Sequence, residues 1–145
     1  MIQRVQTLYL LGAVLLNLLL FYIPVYQFVP NTVIENVSAT RNYSLSENAL
    51  LTILNIGVGV LAFLAIFLFK NRNLQIRLTN LCLLLTAVLT GLLFFVADTL
   101  SGGMEMRVKY IFGSYLPMIE LIVLFIAVRY IKRDENLIRS AERLR

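Results

Sequence analysis

The sequence predicts an all-α membrane protein: an antiparallel bundle of four transmembrane helices, both termini cytoplasmic, with a short amphipathic C-terminal tail helix. Three observations carry this expectation. Hydrophobic residues make up 59% of the 145 residues and charged ones only 14%, against about 25% in soluble domains. The apolar residues gather in four blocks, each long enough to cross a hydrocarbon core of about 30 Å. The basic residues fall mostly on one side of those blocks, which orients them in a bilayer.

The first span is read over residues 8–29. It is rich in leucine, carries Asn17 near its middle and Pro24 toward its far end, and is closed by Pro30-Asn31. Tyr22, Tyr26 and Phe28 fall where an interfacial aromatic belt belongs. The apolar run exceeds the roughly 7–15 residues of a signal-peptide core, and no small-residue cleavage site follows closely, so an uncleaved helix is expected. A polar loop follows to Asn48, with Val33, Ile34 and Val37 as a weak hint of extended chain. Asn36-Val-Ser38 and Asn42-Tyr-Ser44 within it match a glycosylation acceptor pattern.

The second span, residues 49–69, contains Asn55 and the pair Gly57 and Gly59. Small residues let helices approach closely in lipid, although two residues apart they do not share a face. The Lys70–Arg77 connection is so short that the second and third spans form a hairpin. The third span, residues 78–96, carries Thr86 and Thr90 and the lone cysteine, Cys82, read as a packing residue. A second polar loop, Asp98–Lys109, is predicted to turn at Gly102-Gly103. The fourth span, residues 110–131, would make roughly 33 Å of helix and runs into a charged tail, 132–145. These spans leave no room for a separate soluble domain, so residues 1–145 read as one membrane domain.

Charge placement sets the orientation. Arg4, Lys70, Arg72, Arg77, Arg129, Lys132, Arg133, Arg139, Arg143 and Arg145 lie on one side, ten of the thirteen basic residues. Arg41, Arg107 and Lys109 lie on the other, among Glu35, Glu47, Asp98 and Glu105. The rule that cytoplasmic loops are positive then places both termini and the Lys70–Arg77 turn inside the cell.

Glu120, near the middle of the fourth span, is the first candidate functional residue. A carboxyl at that depth costs about 2.5–3.5 kcal/mol on insertion scales, so it calls for a partner or a role. Gly113, Pro117, Glu120, Leu124 and Ala127 form one stripe at three- and four-residue spacing, suited to close helix contact. Pro117 is expected to free the Gly113 carbonyl and kink the helix. Asn17 and Thr86 are expected at the same depth, with Asn55 nearer the outer surface. As a protonated acid, Glu120 would donate a hydrogen bond to Asn17, Thr86 or a partner subunit; alternatively it binds and releases protons in a transport cycle. The tail is the second candidate. Leu137, Ile138, Ala141 and Leu144 share a face, while Glu135 and Arg139 pair at four-residue spacing. Lys132, Arg133, Arg139, Arg143 and Arg145 would rest on anionic lipid headgroups or dock a cytoplasmic partner.

Histidine and tryptophan are absent. No Ser/His/Asp or Cys/His set can be assembled, histidine-based haem and zinc sites fall away, and Glu120 is the lone carboxylate within a span. Neither enzymatic activity nor a cofactor is expected.

Three stretches, MIQRVQTLYLL at the start, IFLFKNRNLQIRL at residues 66–78 and RYIKRDENLIRSAERLR at residues 129–145, resemble a Bacteroidota family of short four-helix inner-membrane proteins. That family is classed as a domain of unknown function; the resemblance implies a bacterial inner membrane and four helices, and carries no activity with it. In such a host Asp98-Thr99-Leu100 would also resemble an O-glycosylation pattern. The expected role is a non-enzymatic accessory or assembly subunit of a larger inner-membrane complex, with other membrane subunits and anionic lipids as partners. The alternatives are a small proton-coupled transporter using Glu120, similar in outline to the small multidrug exporters, and a lipid- or nucleic-acid-docking module using the tail. Nucleic acid is the least expected of these partners, because three acidic residues interrupt the tail's basic ones.

Overall fold

The computed structural model describes residues 3–30, 40–104 and 106–143. Apolar periodicity produces four helices: α1 (Gln3–Tyr22), α2 (Ala49–Phe67), α3 (Arg72–Met104) and α4 (Phe112–Arg143). All four are long and apolar enough to cross a membrane, which makes this a multi-pass membrane protein. Each helix packs on two neighbours: α1 and α3 each touch both α2 and α4. The outward faces carry residues such as Leu8, Ile53, Phe95 and Ile122, at least 60% exposed, as suits a surface solvated by lipid tails.

The inward faces follow a seven-residue rhythm. Buried positions are Gln6, Leu10, Ala13, Asn17 and Leu20 on α1, and Leu51, Asn55, Val58, Ala62 and Ala65 on α2. On α3 they are Gln75, Thr79, Cys82, Thr86, Leu89, Leu93 and Ala97, with Thr90 buried beside them. On α4 the stripe read from sequence is buried throughout and continues past Ala127 to Ile131 and Asp134. Alternating steps of four and three are the seam of helices that pack at shallow crossing angles.

Three strands, β1 (Tyr26–Pro30), β2 (Arg41–Tyr43) and β3 (Met106–Tyr110), form an antiparallel sheet in the order β2-β1-β3. This sheet corrects the sequence reading in two places. The first span does not run to Val29. Pro24 lacks an N–H and disfavours helix at Ile23, so α1 stops at Tyr22 and the chain becomes extended. Tyr26 and Phe28 then point inward with Gln27 between them, a period-two pattern; Tyr22 stays exposed as a belt residue but Tyr26 and Phe28 do not. The Asp98–Lys109 loop is likewise structured. α3 persists to Met104 before β3 begins, and along it the Thr99 hydroxyl donates to the Phe95 carbonyl (2.9 Å) and Ser101 to the Asp98 carbonyl (2.7 Å). Asp98-Thr99-Leu100 therefore lies on a helix. Asn42 lies in β2, where its side chain accepts from Gln27 (2.9 Å); Asn36-Val-Ser38, Val33, Ile34 and Val37 fall outside the described residues.

The sheet closes one end of the helices with an aromatic cluster. Tyr26 pairs in register with both Tyr43 and Tyr110. Its ring stacks on Tyr43 at 5.1 Å and meets Tyr110 edge-on at 6.3 Å, while Phe94 of α3 reaches Tyr110 at 5.3 Å. The Tyr26 hydroxyl donates to the Leu93 carbonyl at 3.2 Å, and burial pushes its phenol above the ordinary range, so it remains a donor. Gly113 sits against the Pro24 carbonyl, where a Cβ would collide with backbone, and the Ser114 hydroxyl donates to Val25. α2 is started by Asn48, whose side chain accepts from Leu50 N–H (3.0 Å) and Leu51 N–H (3.3 Å).

At the opposite end the hairpin expected between α2 and α3 is present, with a single 3-10 turn, Leu68–Lys70, before Asn71. Gln75 donates across it to the Ala65 carbonyl at 3.1 Å. The tail helix is not a separate element. No glycine or proline follows Ile131, the residues are good helix formers, and α4 runs unbroken to Arg143. Leu137 and Ile138 are exposed on it, and the side chains of Ala141 and Leu144 fall outside the described ones.

Because Tyr26 is fully buried at the centre of the sheet, Tyr26→Ala is expected to destabilise the protein by about 3 kcal/mol, and Tyr26→Phe, which loses the hydroxyl alone, by about 1 kcal/mol. Thermal unfolding in mild detergent measures both; equal losses would show that the hydroxyl, not ring packing, holds the sheet.

Candidate functional site

Two apolar clusters fill the interior. One lies beneath the sheet and includes Leu20, Leu51, Leu89, Leu93 and Leu116; the other includes Leu10, Ala13, Ala62, Cys82 and Leu124. Between them along each helix lies one polar residue: Asn17 on α1, Asn55 on α2, Thr86 on α3 and Glu120 on α4. The four candidates read from sequence thus form one layer, each no more than 2% exposed.

Asn17 and Asn55 join directly. The Asn17 amide donates to the Asn55 side-chain carbonyl at 2.8 Å, and the Asn55 amide donates back to the Asn17 backbone carbonyl at 3.2 Å. Asn55 is therefore not nearer the outer surface than Asn17, as the sequence reading had it. That estimate carried α1 on to Val29; with α1 ending at Tyr22, both asparagines lie between one and two turns from the sheet end of their helices. Gly59 makes the pairing possible, since a Cβ there would stand 2.5 Å from the Asn17 side-chain oxygen.

Glu120 is fully enclosed, and neither carboxyl oxygen has a hydrogen-bond partner among the described residues. Asn17 and Cys82 are its polar neighbours. Thr86 is committed elsewhere: its hydroxyl donates to the Cys82 carbonyl at 2.9 Å, as Thr90 does to Thr86 at 2.7 Å. The Cys82 thiol in turn faces the Val58 carbonyl at 3.9 Å. The layer therefore has one satisfied amide pair, hydroxyls bonded within their own helix, and one carboxyl with unused hydrogen-bonding capacity.

A second polar contact lies farther from the sheet. The buried Gln6 amide donates to the Asp134 carboxylate and to the Tyr130 carbonyl (3.5 Å), joining the beginning of α1 to the end of α4. Sequence reading missed Gln6, Gln75 and Asp134. The signal was there: extending the four-three rhythm from Glu120 reaches Asp134, and extending it back from Thr86 reaches Thr79 and Gln75. Of the five tail cations, Lys132 and Arg133 are exposed on α4; the side chains of Arg139 and Arg143, and all of Arg145, fall outside the described residues.

Replacing Asn17 alone by leucine keeps the backbone carbonyl that accepts from the Asn55 amide but leaves the buried Asn55 side-chain oxygen without its donor. Asn17→Leu is therefore expected to lower stability by about 1–3 kcal/mol, and Asn17→Leu/Asn55→Leu by less than the single change. A double-mutant cycle on detergent unfolding checks this; simple addition of the two single losses would show the pair to be uncoupled.

No curated protein and no solved structure matches this chain. A family model does match, over residues 2–144, and that span takes in all four helices, the sheet and the polar layer. The chain belongs to the family described as a domain of unknown function, DUF4293.

Proposed function

We propose that this protein is a non-enzymatic subunit of a larger complex in a bacterial inner membrane. We place it there as an antiparallel four-helix bundle with both termini cytoplasmic. Charge supports the orientation. The end away from the sheet presents the exposed cations Arg77, Arg129, Lys132 and Arg133. On the sheet, Arg41 is paired with Glu47 at 2.8 Å, leaving less net positive charge on that side.

The observation that carries the assembly role is a groove of about 400 Å³ on the outer face between α1 and α2. Leu18, Phe21, Val60 and Phe63 line it together with Gly59 and the buried Asn17. Its lining is almost wholly apolar, and the missing side chain of Gly59 admits the close approach by which helices associate in lipid. Purification from native membranes in mild detergent is expected to recover a larger membrane protein in stoichiometric amount. Val60→Trp, which fills the groove, is expected to abolish that recovery while the protein still inserts. A lone monomer or homo-oligomer would overturn the subunit reading.

A second reading, proton-coupled transport, is favoured by one observation: the buried Glu120 carboxyl has no hydrogen-bond partner among the described residues. The two readings separate on Glu120→Gln. In a subunit this variant still co-purifies with its partner, and liposomes holding the parent protein show no proton flux. In a transporter the parent supports a flux that the variant loses.

A further inference from the structure

A groove of about 510 Å³ lies between α1 and α4 toward the end away from the sheet, lined by Tyr9, Phe125, Ile126, Arg129, Tyr130 and Arg133. We propose that it binds one anionic phospholipid, with the phosphate on Arg129 and Arg133 and an acyl chain along Phe125 and Ile126.

Depth is the first argument. Arg129 lies roughly 26 Å along α4 from Phe112 at its sheet end and Arg133 roughly 32 Å, so across a hydrocarbon core of about 30 Å they flank its far edge. Phe125, exposed to 56%, is one turn deeper, within reach of a chain hanging from that headgroup. Charge is the second. The two guanidinium groups are a turn apart on one helix face, within roughly 6 Å at Cβ, a spacing that lets both converge on one phosphate. Among the described residues neither arginine has a carboxylate within ion-pair distance. The neighbouring groove between α3 and α4 is different: it places Glu135 beside Arg77 and Lys132, so its charge is partly neutralised within the protein.

Rigidity is the third argument. Tyr9 and Tyr130 stack across the groove at 5.4 Å, and Gln6 ties α1 to Tyr130 and Asp134 directly behind it. The arginines therefore project from a turn of α4 that is fixed before the lipid arrives, which reduces the ordering cost of binding. The proposal does not depend on the assembly role or on which leaflet is engaged.

The test is native mass spectrometry of the full chain in detergent, titrated with phosphatidylglycerol or phosphatidylcholine. The parent protein is expected to retain phosphatidylglycerol in preference to phosphatidylcholine. Arg129→Gln/Arg133→Gln is expected to lower that retention about thirtyfold, as two headgroup cations would. Arg72→Gln/Arg77→Gln removes the same charge elsewhere at that end and is expected to leave retention within about twofold. Phe125→Ala, which keeps the charges, weakens retention several-fold by removing the acyl contact. Equal losses in the two arginine pairs would reduce the effect to diffuse surface charge and overturn the site. Equal retention of phosphatidylcholine, or displacement by millimolar inorganic phosphate, would overturn a phospholipid as the occupant.

Discussion

A polar side chain inside a bilayer has no water to turn to, and that constraint organises the whole interior of this protein. Asn17, Asn55, Thr86 and Glu120 can occupy the interior of four apolar helices because the helices close around them. Once the two asparagines are paired, the rotational settings of α1 and α2 are fixed relative to each other, because turning either helix would face an unpaired amide toward lipid. The apolar clusters on either side gain area from close packing, but leucines alone discriminate poorly among registers. The amide pair supplies that discrimination, as a single buried polar residue does in soluble coiled coils.

Much of this was legible from residue types alone. The four apolar blocks, the hairpin at Lys70–Arg77 and the Gly113–Ala127 stripe follow from composition and spacing, because lipid leaves helices as the simple way to satisfy a spanning backbone. The sheet was hidden for a physical reason. Tyr26-Gln-Phe-Val-Pro is as apolar as the helix before it, and hydropathy does not distinguish period two from period 3.6 over so few residues. Pro24 was the available clue, and it is a proline tolerated inside many membrane helices. Asp98–Met104 misled in the opposite sense, since polar residues on a helix that projects beyond the hydrocarbon look like a loop.

The polar layer was legible as a set of residues but not as a set of bonds. Depth along each helix depends on where that helix ends, and an error of a few residues at Pro24 displaced Asn55 from its partner by a turn or more. Nor do residue types alone show that Thr86 spends its hydroxyl on its own helix, which leaves Glu120 without that donor. Such allocation is decided by three-dimensional competition among acceptors.

The two ends of the bundle are joined by bonds of unequal number, and this has a mechanical consequence. At one end the backbones next to all four helices are laced together through the three-stranded sheet and its contacts with Val25 and Gly113. At the other, α1 and α4 are linked by the Gln6 side chain and the Tyr9–Tyr130 stack, while α2 and α3 share a tight turn. The molecule is stiff at the first end and latched at the second. Any large displacement of α1 from α4 would pivot at the sheet and open at Gln6, like calipers with a fixed joint. The greatest travel would then occur where the arginines of α4 stand.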